Sequence, residues 1–232
     1  MNLDEIKNLY HELQKSYDEV KVEDLIDEIS VVHDLETLEF HYSVLKNQEN
    51  KRLFYDLRGC FDKHAEIGKE FLFSKIQIEK DADLKAESLF LLGTMNCKEV
   101  KPIAIDFLKG NTFKEKQYGI LVMGWLGKSE DISILENEML NNPDAELSVC
   151  SVMALRQIFF NHSKLKEKIL SSYYKALKQE TSNEVIINII ACVQDLLKKN
   201  FGIKELKNGN ISGDAILAKE KVLQFIAKQP KD

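Results

Sequence analysis

The sequence predicts an all-α fold, built as an array of about 10–12 short helices. Apolar residues recur at i, i+3, i+4 and i+7 along almost every segment, which is the period of amphipathic helices. Only 10 of the 232 residues are glycine and 3 are proline, too few for the many tight turns of a sandwich or a barrel. Signals that end a helix recur at a nearly regular interval, which indicates a repeated helical unit.

The chain has the length of one domain, residues 1–232, with three regions. Residues 1–48 are predicted to form three helices of unclear register, with a break near Asp34. Residues 49–200 are predicted to form repeated helix pairs. Residues 201–232 are predicted to hold a surface loop, Phe201 to Gly213, and then a capping helix from Asp214 to Lys228.

Two interleaved series of stop signals divide residues 49–200 into helix pairs. The first helices are predicted to end near Cys60, Asn96, Gly127, Asn161 and Asn200. The second helices are predicted to end near Lys80, Gly110, Asn142 and Glu180. Because the spacings within both series are similar, at about 30–39 residues, one helix pair is repeated, as in a solenoid.

Helix starts agree with these stops. Thr112 and Glu115 form the pattern of a capping box, in which each side chain bonds a free backbone N–H at the helix start. Asp144 and Ser182 are further caps, and Pro102 fits a first turn, where its missing N–H costs nothing. Small residues within the helices predict close helix packing: Ala86, Gly119, Gly124 and Ala154.

A small residue in mid-helix and a terminal Leu-Gly recur in the first helices, as at Leu92-Gly93 and Leu126-Gly127. With Pro102 opening a second helix, residues 82–161 resemble the HEAT and armadillo-like repeat family. The resemblance implies a right-handed α-α superhelix and carries no catalytic residue. It also implies that second helices line a concave face, here 64–79, 99–109, 130–141 and 164–178.

Charge is unevenly distributed along the chain, whose net charge is −6. Residues 1–40 carry 12 acidic and 3 basic side chains, whereas residues 163–232 carry 8 and 13. Lys21 is the one lysine close in sequence to the main acidic run: Asp18, Glu19, Glu23, Asp24, Asp27, Glu28, Asp34, Glu36 and Glu39. Two interpretations stay open, a solvated face that keeps the protein soluble or a landing surface for a basic protein.

The partner-binding candidates are acidic side chains at the N-terminal end and on the implied concave face. They are Asp24, Asp27, Glu28, Glu36, Glu39, Glu66, Glu70, Asp106, Glu136 and Glu138. The last predicted second helix presents lysines instead, namely Lys164, Lys166, Lys168 and Lys175.

The sequence suggests no cofactor or metal site. The four cysteines, Cys60, Cys97, Cys150 and Cys192, lack the clustered spacing of a zinc site, so we expect buried free thiols in a reducing compartment. Five scattered histidines, His11, His33, His41, His64 and His162, predict no metal or catalytic site.

Other patterns have structural explanations. Gly127-Lys128-Ser129 ends like a phosphate-binding loop, but Val122 stands where that loop needs a glycine. Trp125, the only tryptophan, lies amid Val122 and Met123 and is expected in the core.

We expect a cytoplasmic protein that binds neither membrane nor nucleic acid. No run approaches ~18 apolar residues, and the N-terminus has no signal-peptide pattern. The acidic balance disfavours nucleic acid, because binding its backbone needs clustered Lys and Arg.

The leading hypothesis is a non-catalytic, protein-binding module. Small acidic bacterial chains with HEAT-like repeats include some that are similar to immunity proteins, which bind a cognate toxin, often a basic nuclease. The 29 lysines against 3 arginines fit an AT-rich bacterial genome. Two alternatives are a generic HEAT-repeat scaffold or accessory protein and, as an enzyme, a HEAT-like DNA glycosylase. The acidic balance and the single tryptophan disfavour the enzyme.

Overall fold

The all-α prediction is confirmed. The computed structural model describes residues 1–32, 34–179, 182–207 and 211–228, which are almost entirely helical. The helices are α1 Leu3–Lys15, α2 Glu19–Val31, α3 Leu35–Val44, α4 Lys51–Gly59, α5 Ala65–Ile78, α6 Ala82–Thr94, α7 Lys101–Phe107, α8 Phe113–Leu126, α9 Ile132–Asn141, α10 Ala145–Asn161, α11 Lys166–Lys178, α12 Asn183–Leu197 and α13 Ala215–Ala227. In the part of the chain that the structure describes, no helix has the length and apolar character needed to cross a membrane.

The predicted helix boundaries are confirmed to within about three residues wherever the structure describes them. Thr112 and Glu115 form the expected capping box at the start of α8. Asp144 and Ser182 cap α10 and α12 with their side chains. His33 and the predicted stop at Glu180 lie outside the described residues.

One order of elements recurs from α4 to α11. A first helix is followed by a turn of 3₁₀ helix and then by a second helix. The 3₁₀ turns are Phe61–His64, Lys98–Val100, Ser129–Asp131 and Ser163–Leu165. The pairs that they join are α4 with α5, α6 with α7, α8 with α9, and α10 with α11, which matches the predicted repeated unit.

The chain divides into two compact units, Met1–Val100 and Lys101–Asp232, called unit 1 and unit 2 below. In unit 1, α1 packs on α2 and α3, α4 also packs on α2 and α3, and α5 packs on α6. Its largest apolar cluster includes these buried side chains: Ile6, Tyr10, Leu13, Val22, Leu25, Ile29, Leu53 and Leu57.

Unit 2 is packed around small residues. α8 lies between α7 and α10, and α10 also contacts α9 and α12. A Cβ atom on Gly119 would lie 2.8 Å from the Ala104 carbonyl oxygen, and one on Gly124 would lie 2.9 Å from the Ala154 Cα. The predicted close approach of helices at Gly119, Gly124 and Ala154 is therefore confirmed.

The segment predicted as a surface loop contains a small hairpin instead. β1, Lys204–Glu205, pairs antiparallel with β2, Ile211–Ser212. Phe201 and Ile203 are buried, because the Gln194 side chain of α12 accepts from the Phe201 N–H at 2.6 Å and donates to the Ile203 carbonyl at 2.9 Å. The segment is thus anchored to α12, and α13 follows as predicted with Asp214 as its cap.

Candidate functional site

Five of the predicted acidic residues lie on α2 and α3 and are here called the acidic face: Asp24, Asp27, Glu28, Glu36 and Glu39. On α2, Val22, Leu25 and Ile29 are buried at helical spacing, which turns Asp24 and Asp27 outward. On α3, the helix begins after Asp34, whose side chain accepts from the Thr37 N–H at 2.8 Å.

Cations that are distant in sequence partly neutralise the acidic face. Asp27 lies 3.5 Å from the Lys63 ammonium, Glu39 lies 2.6 Å from that of Lys75, and Glu28 pairs with the N-terminal amine of Met1. Asp24 and Glu36 form no ion pair within the described residues. The charge of this surface is therefore smaller than the sequence alone suggests, and it is concentrated at the carboxylates without a counter-ion.

Apolar side chains are exposed beside these carboxylates. Val31 is 76% exposed and Leu35 is 64% exposed, on either side of the α2–α3 turn. Nearby, a shallow cavity of about 440 Å³ lies between α1 and α3, and its lining includes Leu35, Glu36, Glu39 and Phe40. Large apolar side chains left exposed beside polar ones are typical of interaction surfaces.

The other acidic candidates are held by local partners, with one exception. Glu66 pairs with Lys69 at 2.7 Å, and Asp106 pairs with Lys109 at 3.3 Å. Glu138 accepts from the Asn142 side-chain amide at 3.0 Å. Glu70 is exposed and forms no ion pair within the described ranges of unit 1.

Glu136 connects two helices of unit 2. From α9 it accepts from Lys175 at 2.6 Å and from the Ser172 hydroxyl at 2.5 Å, both on α11. Burial opposes ionisation of this carboxyl, but the two hydrogen bonds outweigh burial and lower its pKa. Lys175, one of the four lysines predicted on this helix, is therefore paired within unit 2. A second, Lys168, donates to the Ser129 carbonyl at 2.6 Å.

Sequence reasoning missed a buried histidine pair in unit 1. His41 Nδ1 lies 2.8 Å from His64 Nε2, and His41 Nε2 lies 2.9 Å from the Leu57 carbonyl oxygen. Because a carbonyl only accepts, His41 carries its hydrogen on Nε2, and Nδ1 accepts from His64. Burial, with His64 close by, lowers the pKa of His41 to about 3.

The neighbouring thiol is also neutral. Cys60 donates to the same Leu57 carbonyl at 3.2 Å, and burial raises its pKa to about 12. A thiol in this state is a poor nucleophile. Among the described residues, no group of three or more His, Cys, Asp or Glu side chains is arranged to hold a metal ion.

The prediction for Trp125 needs correction, because this side chain is half-buried at the surface. Val122, Met123 and Leu126 face the core of unit 2, whereas Leu121 and Trp125 lie on another side of α8. With residues of α10 they surround a surface cavity of about 200 Å³, here called the aromatic cleft. Its walls are formed by Leu121, Trp125, Met153, Arg156, Gln157 and Phe160. The signal for it was the i, i+4 spacing of Leu121 and Trp125.

Arg156 forms one wall of the aromatic cleft and is held by two carboxylates. Its guanidinium lies 5.6 Å from the centre of the Phe160 ring, and Nη2 donates to Asp195 and, at 3.1 Å, to Glu205. These carboxylates belong to α12 and β1 and remain 36% and 40% exposed. Two partly exposed carboxylates therefore surround a single guanidinium.

All three arginines of this lysine-rich chain have the same type of environment. Arg52 lies 4.2 Å from the centre of the Tyr17 ring and pairs with Glu19. Arg58 lies 4.3 Å from the centre of the Phe90 ring and pairs with the buried Glu87. Arg156 repeats this combination of an aromatic ring with a carboxylate in unit 2. A planar guanidinium can stack on a ring while it bonds a carboxylate. Lys75 makes a similar combination with its ammonium, which lies 5.2 Å from the centre of the Phe71 ring and pairs with Glu39.

A scan against protein-family models gives no match to the chain. A search of curated proteins likewise gives no match.

Proposed function

We propose that the protein is a non-catalytic binding module that acts as an immunity protein, neutralising a basic, nuclease-type toxin through the acidic face. One observation carries the proposal. Asp24 and Glu36, which form no ion pair within the described residues, are exposed on α2 and α3, the two helices that also expose Val31 and Leu35 on either side of the turn between them.

Each part of this surface would contribute differently to binding. Carboxylates without a counter-ion attract a basic partner over several ångströms, which raises the association rate and disfavours acidic partners. Exposed apolar groups contribute once contact is made, because their burial removes apolar area from water. Under this proposal the carboxylates take the place of the phosphates that a nuclease cleft binds.

The proposal also includes a HEAT-like, right-handed superhelix. The recurrence of helix, 3₁₀ turn and helix from α4 to α11 supports it, as does the close packing of α8 on α10. Glu66 and Glu70 on α5 remain candidates for the binding surface of unit 1, and Asp106, Glu136 and Glu138 remain candidates for partner contacts in unit 2. We also propose a cytoplasmic location, which the free thiols support.

The test compares two variants that change the net charge equally. The first is the triple change Asp24→Lys, Asp27→Lys and Glu36→Lys on the acidic face. The control is Glu49→Lys, Glu184→Lys and Glu220→Lys, at exposed positions elsewhere. Wild-type protein is used to purify its partner from the native host, and each variant is then titrated with that partner by calorimetry.

The partner should be a basic protein whose toxicity is suppressed by co-expression of the wild-type chain. Reversal on the acidic face should weaken binding by about a hundredfold or more, since charge pairs at such interfaces have large couplings. The control variant should stay within about threefold of wild type. An acidic partner, or equal loss in both variants, would contradict the proposal.

A further inference from the structure

We propose that unit 2 carries a second binding surface, the aromatic cleft, which receives a bulky apolar side chain from a protein segment with a basic side chain beside it. The cleft belongs to α8 and α10 and shares no residue with the acidic face. The proposal therefore stands or fails independently of the immunity function.

The cleft exists because two small residues meet at its base. At the crossing of α8 and α10, a Cβ on Gly124 would lie 2.9 Å from the Ala154 Cα and 3.0 Å from its Cβ. The helix backbones are therefore close together, and the larger neighbours Trp125, Met153 and Phe160 rise on both sides of the crossing. The depression is thus fixed by backbone packing and not by a flexible loop.

The composition of the cleft is that of an interface centre. Tryptophan, phenylalanine, methionine and arginine are enriched at the centres of protein interfaces, whereas lysine, aspartate and glutamate are depleted. The lining of the cleft contains all four enriched types, together with Leu121, Gln157 and Ala154, and it contains no lysine, aspartate or glutamate, in a chain that is 30% charged. Phe160, next to the last residue of α10, is 54% exposed and leaves a large apolar surface in contact with water.

Size and charge identify the occupant. A volume of about 200 Å³ is below the roughly 300–1,000 Å³ of small-molecule sites, and it suits one large side chain. At the Arg156 wall, Asp195 and Glu205 carry two negative charges against one positive charge, and both are partly exposed. A Lys or Arg next to the apolar anchor would pair with them.

Within the described residues, Arg156 is the only cation that pairs with Asp195 or Glu205. Three lysines are close to these carboxylates in sequence, namely Lys198, Lys199 and Lys204. Of these, Lys199 lies over the Phe225 ring, with its ammonium 4.1 Å from the ring centre. The two carboxylates at the Arg156 wall therefore share a single ion-pair partner.

The experiment uses Trp125 as the reporter, because it is the only tryptophan in the chain. Peptides from a random display library are selected on the full-length protein. A selected peptide without tryptophan is then synthesised and titrated while Trp125 fluorescence is followed. The expected consensus is an aromatic or large aliphatic residue next to Lys or Arg.

Three variants test the apolar contact, the charge at the Arg156 wall and a position outside the cleft. Phe160→Ala should weaken binding about thirtyfold, as for a central interface residue. Glu205→Gln should weaken it about threefold to tenfold. Ile216→Ala is the matched control on α13, where the side chain is 64% exposed, and it should leave the affinity unchanged. Circular dichroism checks that each variant keeps its helices.

The proposal is overturned if no peptide is selected, if the consensus is acidic, or if Phe160→Ala binds as tightly as wild type. A single-stranded oligonucleotide provides the remaining comparison. If it changes Trp125 fluorescence at physiological salt, and Phe160→Ala abolishes that change, the cleft stacks bases and the peptide proposal is wrong.

Discussion

Both units contain the order of helix, 3₁₀ turn and helix, but they differ in the contacts that their helices make. In unit 1, polar side chains are buried and bonded to one another, as in the His41–His64 pair and in the Tyr42 hydroxyl that donates to Glu79 at 2.9 Å. In unit 2, the closest helix contacts are made around Gly119 and Gly124, where no side chain intervenes.

This difference shows that similar helical patterns can be stabilised by different physical means. A buried imidazole stays neutral only while protonation is more costly than its hydrogen bonds, so unit 1 should be sensitive to pH. A backbone contact at a glycine carries no titratable group, but it leaves no space for another carbon atom. The glycine contacts of unit 2 should therefore be sensitive to volume, as should that of Gly68 in unit 1, where a Cβ would lie 2.6 Å from the His64 Cβ.

The largest expected effect is a pH dependence centred on His41. Because its pKa is about 3 in the folded protein and about 6.5 when unfolded, the unfolded chain binds a proton that the folded chain does not. The resulting stability is complete above pH about 6.5 and is lost as the pH falls. We expect the free energy of unfolding to decrease by about 1 kcal/mol for each pH unit between about 6 and 4.

The matched variant is His41→Gln, whose amide can donate to Leu57 and accept from His64 without titrating. Urea unfolding at several pH values should show a slope smaller by about one proton in this variant. Hydrogen exchange should place the acid sensitivity in α3 and α5, with α8 and α10 unaffected. Equal slopes for wild type and variant would show that His41 does not control the pH dependence.

The next largest effect is expected from adding a methyl group at two glycines, one in a close helix contact and one in open space. Gly124→Ala should destabilise the protein by about 1–3 kcal/mol, because the new Cβ would lie 2.9 Å from the Ala154 Cα. Gly59→Ala in α4 should be neutral or stabilising by up to ~1 kcal/mol, because nothing lies within 4 Å of its new Cβ. Urea unfolding measures both, and a neutral Gly124→Ala would refute the close crossing.

Helix boundaries were predictable because their signals are local. Thr112 and Glu115 are three residues apart, and the side chain of each accepts from the backbone N–H of the other, as the sequence pattern predicts. Ser182 and Asp34 each accept from a backbone N–H three residues further on, at the starts of α12 and α3. Each signal is decided within one helical turn, so no knowledge of the tertiary structure is needed.

Contacts between distant residues were not predictable. His41 and His64 are 23 residues apart, and Asp27 reaches Lys63 across 36. No local pattern in the sequence marks either pair. The sequence alone therefore shows histidines that are scattered and an acidic run that has few nearby cations. The prediction for Trp125 was wrong for a different reason. Its apolar neighbours in sequence face the core, whereas Trp125 lies at the edge of the buried face of α8.

A smaller effect is expected from removing one hydroxyl in each unit. Tyr173 donates to the Val152 carbonyl at 2.7 Å, and Tyr42 donates to the Glu79 carboxylate. Tyr173→Phe and Tyr42→Phe should each cost about 1 kcal/mol in urea unfolding at neutral pH. Backbone N–H groups, with the Tyr42 hydroxyl, lower the pKa of Glu79. The cost of Tyr42→Phe should therefore shrink as acid protonates Glu79, while that of Tyr173→Phe stays constant.

The smallest effect on stability is expected at the acidic face. Asp24→Asn and Glu36→Gln together should shift the melting temperature by less than about 2 °C, because both side chains are exposed and form no ion pair within the described residues. Scanning calorimetry measures this shift. The same double variant should weaken binding of the basic partner at low salt, with the difference from wild type shrinking as salt screens the charges. If these carboxylates contribute to binding and not to folding, their function is recognition of the partner. If binding is unchanged, their role is to keep the protein soluble.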